Sequence, residues 1–298
     1  MADLGFDGRV AIVTGAAGGL GRAHAMLLAS RGARVVVNDL GGAVDGTGGS
    51  PQPAEEVVAE IVTAGGEAVA DANTVATEEG GAAVVQTALD AYGGVDIVVN
   101  NAGILRDRTM QNMTDDLLSP VVDVHLKGAF YVTRPAWAHM RQQGYGRVVN
   151  TSSSSGILGN FGQANYGAAK MGLVGLTRVL AAEGAKYGIK ANAIAPVART
   201  RMTQELLGPL AEHVDPAEVS PLVGWLCHED CPVTGEVYSV GGGRVARFFI
   251  GLTDGWFARG HSIEDVRDHW DEIRSEAGYT VPAGPADEFE IISRVLKG

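Results

Sequence analysis

The chain has 298 residues, of which 46% are hydrophobic, 19% are charged and 42 are glycine. That length and apolar share suit one large α/β domain or two small ones and exclude a disordered chain, and glycines without a three-residue period exclude collagen. The 35 acidic and 23 basic residues leave a formal net charge of −12, which repels phosphate backbones, so no nucleic-acid partner is expected.

No apolar run reaches the roughly 20 residues needed to span a bilayer, and the first eight residues lack the basic and apolar parts of a signal peptide. The expectation is a soluble, cytoplasmic protein with no membrane partner.

In chain order, apolar runs bounded by glycine predict strands over residues 10–14, 34–38, 68–70, 95–100, 147–151, 190–194 and 236–240. Helix-length mixed patterns over 21–30, 54–64, 78–92, 114–140 and 164–187 alternate with them. Such alternation implies βαβ units, whose right-handed crossovers place helices on both faces of a parallel sheet. The expected fold is therefore a Rossmann-like, doubly wound α/β sheet of about seven strands.

Two stretches break the rhythm. Residues 40–53, LGGAVDGTGGSPQP, are rich in glycine and proline and are expected to form a mobile surface loop. After Val240 the sheet pattern is expected to end, leaving a catalytic domain over 1–243 and a helical C-terminal extension over 244–298. Ser262 and Asp265 have capping-box spacing at the start of a helix predicted over 262–276. Phe248, Phe249, Trp256, Phe257 and Trp270 crowd this tail, which suits either core packed back on the domain or a subunit-interface or substrate-pocket role. Cys227 and Cys231, on either side of His228, are too few for a closed zinc site and read as structural, so no metal is expected.

The turn Thr14-Gly-Ala-Ala-Gly-Gly-Leu-Gly21 joins the first strand to the first helix. Glycines there let the backbone approach a pyrophosphate, and the helix N-terminus offers unpaired N–H groups and a positive dipole end. Asp39 ends the second strand 18 residues past Gly21, near the spacing at which a carboxylate meets the adenosine ribose. A carboxylate accepts from a free 2′-hydroxyl and repels a 2′-phosphate, and no arginine occupies 16–19 or 40–42, so NAD is expected over NADP.

Tyr166 and Lys170 are four apart in a helical pattern, which puts a phenol and an ammonium on one face. A nearby cation favours the ionised phenol and brings a poor base closer to working pH. The pair follows the serine run 152–155 at the end of a predicted strand, where parallel sheets place their ligand crevice.

With Gly15, Gly19 and Gly21, the stretch Asn100-Asn-Ala-Gly103, Ser153, and Tyr166 with Lys170 in this order, the sequence resembles the short-chain dehydrogenase/reductase family over residues 8–243. The resemblance implies that Tyr166 is the catalytic acid/base, that Lys170 binds the nicotinamide ribose and lowers the tyrosine pKa, and that Ser153 hydrogen-bonds the reacting oxygen. It implies cofactor contacts from Gly15, Gly19, Leu20 and Gly21, from Asn101, Ala102 and Gly103, and from Asn73 where the family more often has aspartate. Pro196, Val197 and Thr200 stand for the loop over the nicotinamide, one residue shorter than usual. His125, in Val124-His-Leu-Lys-Gly128, occupies the slot of the family's catalytic asparagine, with donor and acceptor nitrogens that suit a structural hydrogen bond or a proton path.

Within the family, more specific segments resemble the (3R)-hydroxyacyl-CoA dehydrogenase units of multifunctional enzymes, also called 17β-hydroxysteroid dehydrogenases. They include Val36-Val-Asn-Asp-Leu-Gly-Gly42, Asn101-Ala-Gly-Ile-Leu-Arg-Asp-Arg108 and the segment from Gly156 to Tyr166. The resemblance implies a small-molecule substrate, an acyl-CoA first, a steroid second and an acyl-carrier-protein thioester third, and assembly as a homodimer or homotetramer. A silent NAD-binding sensor or scaffold is the reading from another class. A CoA phosphate needs cations, for which Arg106, Arg108, Arg199, Arg201, Arg244 and Arg247 are candidates.

Overall fold

The computed structural model describes residues 4–203 and 208–297. The chain divides into two compact units, Met1–Arg247 and Phe248–Gly298.

The first unit is built on an eight-stranded sheet with strand order β3-β2-β1-β4-β5-β6-β7-β8. The strands are β1 (Val10–Thr14), β2 (Arg34–Asn38), β3 (Glu67–Asp71), β4 (Ile97–Asn100), β5 (Gly146–Thr151), β6 (Ile189–Pro196), β7 (Val237–Gly241) and β8 (Arg244–Phe248). The pairings among β1 to β7 are parallel, with Ile12 of β1 opposite Val36 on one side and Val98 on the other. β8 corrects the expectation that the sheet pattern ends after Val240. Gly242 and Gly243, both at positive φ, link β7 to β8, and so short a link joins only antiparallel neighbours. The largely exposed Arg-Val-Ala-Arg-Phe strand lacks the apolar alternation that marks a strand in sequence.

Alternate residues of each strand point to opposite faces, and the sheet therefore has two cores. Ala11, Val13, Val35, Val37 and Val99 bury against α1 (Gly19–Ser30), α2 (Gln52–Thr63) and a later helix over Ser220–Cys227. Val10, Ile12, Val36, Val98 and Val148 bury against α3 (Glu78–Tyr92), α5 (Gly128–Gln143) and α7 (Ala164–Gly184). Burial on both faces explains why the central strands read as continuous apolar runs.

The single helix predicted over 114–140 is broken. It runs as α4 (Asp115–Val122), a π-helical turn over Asp123–Lys127 and α5. Pro120 lies inside α4 and has no N–H to donate to the carbonyl one turn back. The π turn that follows brings His125 inward to 3% exposure. Residues 40–50, expected to be mobile, form a hydrogen-bonded loop, with Ser50 N donating to Leu40 O at 2.9 Å and Ala43 N to Thr47 O at 2.8 Å.

In the second unit the Ser262–Asp265 capping box is present, but the helix predicted over 262–276 is divided into α9 (Ile263–Asp268) and α10 (Trp270–Ile273), taking Ser220–Cys227 as α8. A further helix, α11 (Pro285–Lys297), was not expected. Phe249 stacks on Tyr279, and Trp256 stacks on His269 with ring centroids 4.1 Å apart. Cys227 and Cys231 are free, fully buried thiols, and no metal-ligating cluster occurs among the described residues. Nor does any helix among them have the length and apolarity to cross a membrane.

A buried amide chain joins the catalytic side of the sheet. Asn100 Nδ2 donates to Thr133 Oγ1 and to Asn150 Oδ1, and Asn150 Nδ2 donates to Thr177 Oγ1, each at 2.9 Å. This ties β4 and β5 to α5 and α7. Asn150→Ala is expected to strand two buried partners and cost about 2–3 kcal/mol of stability. A urea midpoint unchanged from wild type would contradict it.

Candidate active site

The carboxyl ends of the parallel strands open into a cleft of about 550 Å³. Its adenosine side begins at the turn after β1. Gly15 has φ +66°, and a Cβ there would lie 2.8 Å from Ala102 Cα; one on Gly21 would lie 2.1 Å from Gly15 O. Gly15 is thus required by the close approach of the residues after β4, and Gly21 by the folding of the turn back on itself. Thr14 Oγ1 accepts from Asn101 N and Ala102 N, and Asn101 Nδ2 donates to Thr14 O and Gly15 O, which locks the two strand ends together. In the sequence Thr14 reads only as the residue where the strand meets the cradle turn, with no role of its own.

Gly18, Gly19 and Leu20 line the cleft at the N-terminus of α1, and a Cβ on Gly18 would meet nothing within 4 Å. Asp39 also lines the cleft, with Oδ2 accepting from Ala17 N at 2.9 Å and Oδ1 from Gly41 N at 2.7 Å. Both oxygens keep lone pairs for hydroxyl donors. Asn73 donates to Asp71 Oδ2 at 2.8 Å, and Asn101, Ala102 and Gly103 complete this side. The cradle, the acidic residue at the end of β2 and the open helix N-terminus fit a dinucleotide.

On the other side Pro196, Val197 and Thr200 line the cleft opposite Ser153, Tyr166 and Lys170. Ser153 is the N-cap of α6 (Ser154–Leu158), and its Oγ accepts from Ser155 N at 3.1 Å. Tyr166 and Lys170 project from the first turns of α7, and Tyr166 lines the cleft beside Ser153. Lys170 is 3% exposed; its Nζ donates to Thr151 O at 2.5 Å and lies 5.5 Å from the Tyr166 ring centroid. Ser152 is spent on structure, its Oγ donating to Lys170 O at 2.7 Å.

Burial sets the electrostatics. It pushes Lys170 down from 10.5 to about 7. Burial also holds Tyr166 above the ordinary phenol range, with Ser153 acting in the opposite direction and Asp107 adding to the rise. Lys170 is not among the influences on the tyrosine in this geometry, so the lowering expected from it is not seen, and desolvation of the phenol dominates. His125 is held well below its ordinary pKa by burial and by the Lys170 charge, and is neutral. Its Nε2 lies 3.0 Å from Ile104 N and 2.8 Å from Ile104 O. Its ring meets Tyr166 edge to face at 5.2 Å, and Nδ1 is buried without a protein partner among the described residues.

Sequence reasoning passed over Gln163 and Asn165, which fix the start of α7. Gln163 Nε2 donates to Asp107 Oδ2 at 2.7 Å. Asn165 is 1% exposed; it donates to the carbonyls of Arg106 and Leu117, and its Oδ1 accepts from Tyr166 N at 2.8 Å. Both belong to the segment before Tyr166 that carries the resemblance, but an amide's partners across the fold leave no local pattern in sequence.

The arrangement is a dinucleotide cleft with a serine, a tyrosine and a lysine at the point where a hydroxyl could meet it. Residues 9–208 match the short chain dehydrogenase family model. The chain is 54% identical over 276 residues to a short-chain type dehydrogenase/reductase of Mycobacterium tuberculosis, covering 92% of this chain and 96% of that protein. It is 51% identical over 275 residues to the peroxisomal multifunctional enzyme type 2 of Mus musculus, covering 91% of this chain and 37% of that longer protein. The full-length peroxisomal multifunctional enzyme type 2 of Drosophila melanogaster superposes with a TM-score of 0.83 at 38% identity, over 99% of this chain and half of that one. The chain belongs to the short-chain dehydrogenase family and is an oxidoreductase acting on CH–OH groups.

The folded chain binds fewer protons at Lys170 than the unfolded chain between pH 7 and 10.5, because burial lowers its pKa from 10.5 to about 7. The resulting penalty is complete below pH 7 and lifts as pH rises through that window. Urea midpoints are therefore expected to show the wild type gaining on Lys170→Met between pH 7 and pH 10. A gap that stays constant across this range would contradict a depressed lysine.

Proposed function

We propose that the protein is an NAD-dependent dehydrogenase that oxidises a secondary alcohol to a ketone, with (3R)-hydroxyacyl-CoA converted to 3-oxoacyl-CoA as the favoured reaction. The observation that carries the reaction type is the grouping of Ser153, Tyr166 and buried Lys170 at the carboxyl end of β5.

The dinucleotide would be held by Gly15, Gly19, Leu20 and Gly21 at its phosphates and by Asp39 at the adenosine ribose. Asn73 and Asn101 to Gly103 would flank the adenosine, and Lys170, Pro196, Val197 and Thr200 the nicotinamide half. When bound, it supplies the acceptor for the hydride.

The chain's own residues manage the proton and the oxygen. Ser153 presents its hydroxyl to the substrate oxygen, and its position is fixed by capping α6. Tyr166 Oη takes the alcohol proton. Burial holds the phenol above its ordinary range, so it is protonated near neutrality and can take the alcohol proton only as it gives up its own; Lys170, lowered to about 7 and 5.5 Å from the Tyr166 ring centroid, can accept that proton as the free amine. His125 acts by position, as a neutral ring packed on the Tyr166 edge.

NAD is favoured over NADP by Asp39. Arg106 and Arg201 are the arginines that line the cleft among the described residues, and Arg106 is committed to backbone carbonyls. Arg201 remains as the cation for a substrate phosphate, while Arg247 pairs with Glu236. The thioester preference rests on the segments that resemble hydroxyacyl-CoA dehydrogenase units and on the likeness to the multifunctional enzymes; a 17β-hydroxysteroid is the second reading. Assembly as a homodimer or homotetramer follows the same resemblance.

Tyr166→Phe is expected to bind NADH normally and to lose turnover by about 10²- to 10⁴-fold; full turnover would sink the assignment. Assays of NADH formation with 3-hydroxyacyl-CoAs of both configurations and with 17β-hydroxysteroids test the substrate. Robust steroid oxidation without any acyl-CoA activity would reject the thioester. In titrations, NADH is expected to bind more tightly than NADPH, with the gap narrowed in Asp39→Ala; equal affinities in the wild type would refute the carboxylate argument.

A further inference from the structure

The segment 104–108 follows the end of β4 and crosses between the adenosine side and the catalytic side of the cleft. Toward the adenosine side it carries the loop that follows Asp39. Leu105 N donates to Val44 O at 3.0 Å, Arg106 Nε donates to Asp45 O at 2.9 Å, and a Cβ on Gly46 would stand 3.1 Å from the Ile104 side chain. Toward the catalytic side it carries the residues flanking Tyr166. Arg106 O accepts from Asn165 Nδ2 at 2.9 Å, Asp107 accepts from Gln163, and Arg108 bridges Gln163.

Arg106 joins these two sets and a third. Its Nη1 donates to Asp116 O at 2.6 Å. Asp116 is four residues before Pro120, which has no N–H to offer it. The guanidinium thus takes up a carbonyl that the helix leaves open, and it pins α4 to the loop at Asp45. Leu117 O, on the next residue of α4, is the second acceptor of the Asn165 amide. One planar side chain with fixed donor directions therefore holds the adenosine-side loop and α4 in a common frame, and the buried Asn165 places Tyr166 against that frame.

We infer that Arg106 is a positioning residue that couples occupancy of the adenosine side of the cleft to the placement of Tyr166. The inference rests on the reading of the cleft as a dinucleotide site. Filling the space beside Asp39 and residues 40–46 stiffens the loop, the Arg106 bonds carry that restraint to 104–108 and α4, and Asn165 and Gln163 deliver it to the first turn of α7. Arg106 touches no reacting atom in this arrangement. A local packing role would affect cofactor affinity alone, whereas coupling also affects turnover once the cofactor is saturating.

Two measurements on the full chain separate these. In steady-state assays with 3-hydroxyacyl-CoA, Arg106→Ala is expected to lower kcat at saturating NAD by on the order of ten- to a hundred-fold, with partial recovery in Arg106→Lys. A raised KM for NAD with unchanged kcat would overturn the coupling.

The second measurement needs no variant to fold. ADP, which lacks the nicotinamide riboside, is added to the wild type, and its binding is followed by calorimetry and by amide hydrogen exchange. Slowed exchange over 163–167 as well as 39–51 is expected. ADP binding with protection confined to 15–21, 39–51 and 101–103 would overturn the coupling while leaving the cofactor reading intact. Failure of both NADH and ADP to bind would overturn the cofactor reading and the coupling with it.

Discussion

The burial of the Lys170 ammonium is the constraint around which the catalytic side is arranged. A lysine end at 3% exposure is tolerated only with a hydrogen-bond acceptor aimed at it, and the carbonyl of Thr151, at the last position of β5, is that acceptor. The bond fixes α7 against the end of β5, and Ser152 closes the same junction from the other direction by donating to the Lys170 carbonyl. With α7 held in this way, Tyr166, one turn earlier, lines the cleft beside Ser153. The cost of burying the charge appears in the lysine's own titration, which falls to about 7.

The same logic governs the cofactor side, where the constraint is space. Gly15 admits the chain after β4, and Gly21 admits the carbonyl of Gly15, so closely that a methyl group at either would collide with backbone. The polar groups exposed by that approach are taken up by Thr14 and Asn101, which were made available by their places at adjacent strand ends. Asp39 repeats the device one strand further out, with its carboxylate receiving N–H groups from the cradle and from the following loop. Each element of the cleft is therefore both a wall and a hydrogen-bond partner of the next.

His125 shows how a departure from a family pattern is absorbed. Its ring sits where a π turn swings the backbone inward, and the Ile104 N–H and carbonyl converge on one nitrogen. Gly103 makes room for it, since a Cβ there would lie 2.4 Å from the imidazole. A neutral ring is the only form this pocket favours, because both desolvation and the neighbouring lysine oppose a second positive charge.

The strands from Val10 to Val240, the alternation that makes the sheet doubly wound, the glycine cradle, Asp39 and the Tyr166–Lys170 spacing were all determined by the sequence alone. Each depends on local periodicity or on residues a few positions apart, and such patterns survive without knowledge of the fold. The tertiary structure decided the rest. β8 has no apolar alternation and is a strand because β7 offers it an edge through a glycine hairpin. The loop over 40–50 is rich in turn residues and reads as free chain, yet Leu105 and Arg106 bind its carbonyls from 61 residues away. Pro120 is an ordinary helix breaker in sequence, and the carbonyl it exposes is met by Arg106. Asn165 and Thr14 are commonplace residues with partners 48 to 88 positions distant. Hydrogen bonds of that reach are set by which strand ends and helix starts the topology brings together, and no local pattern in the chain records them.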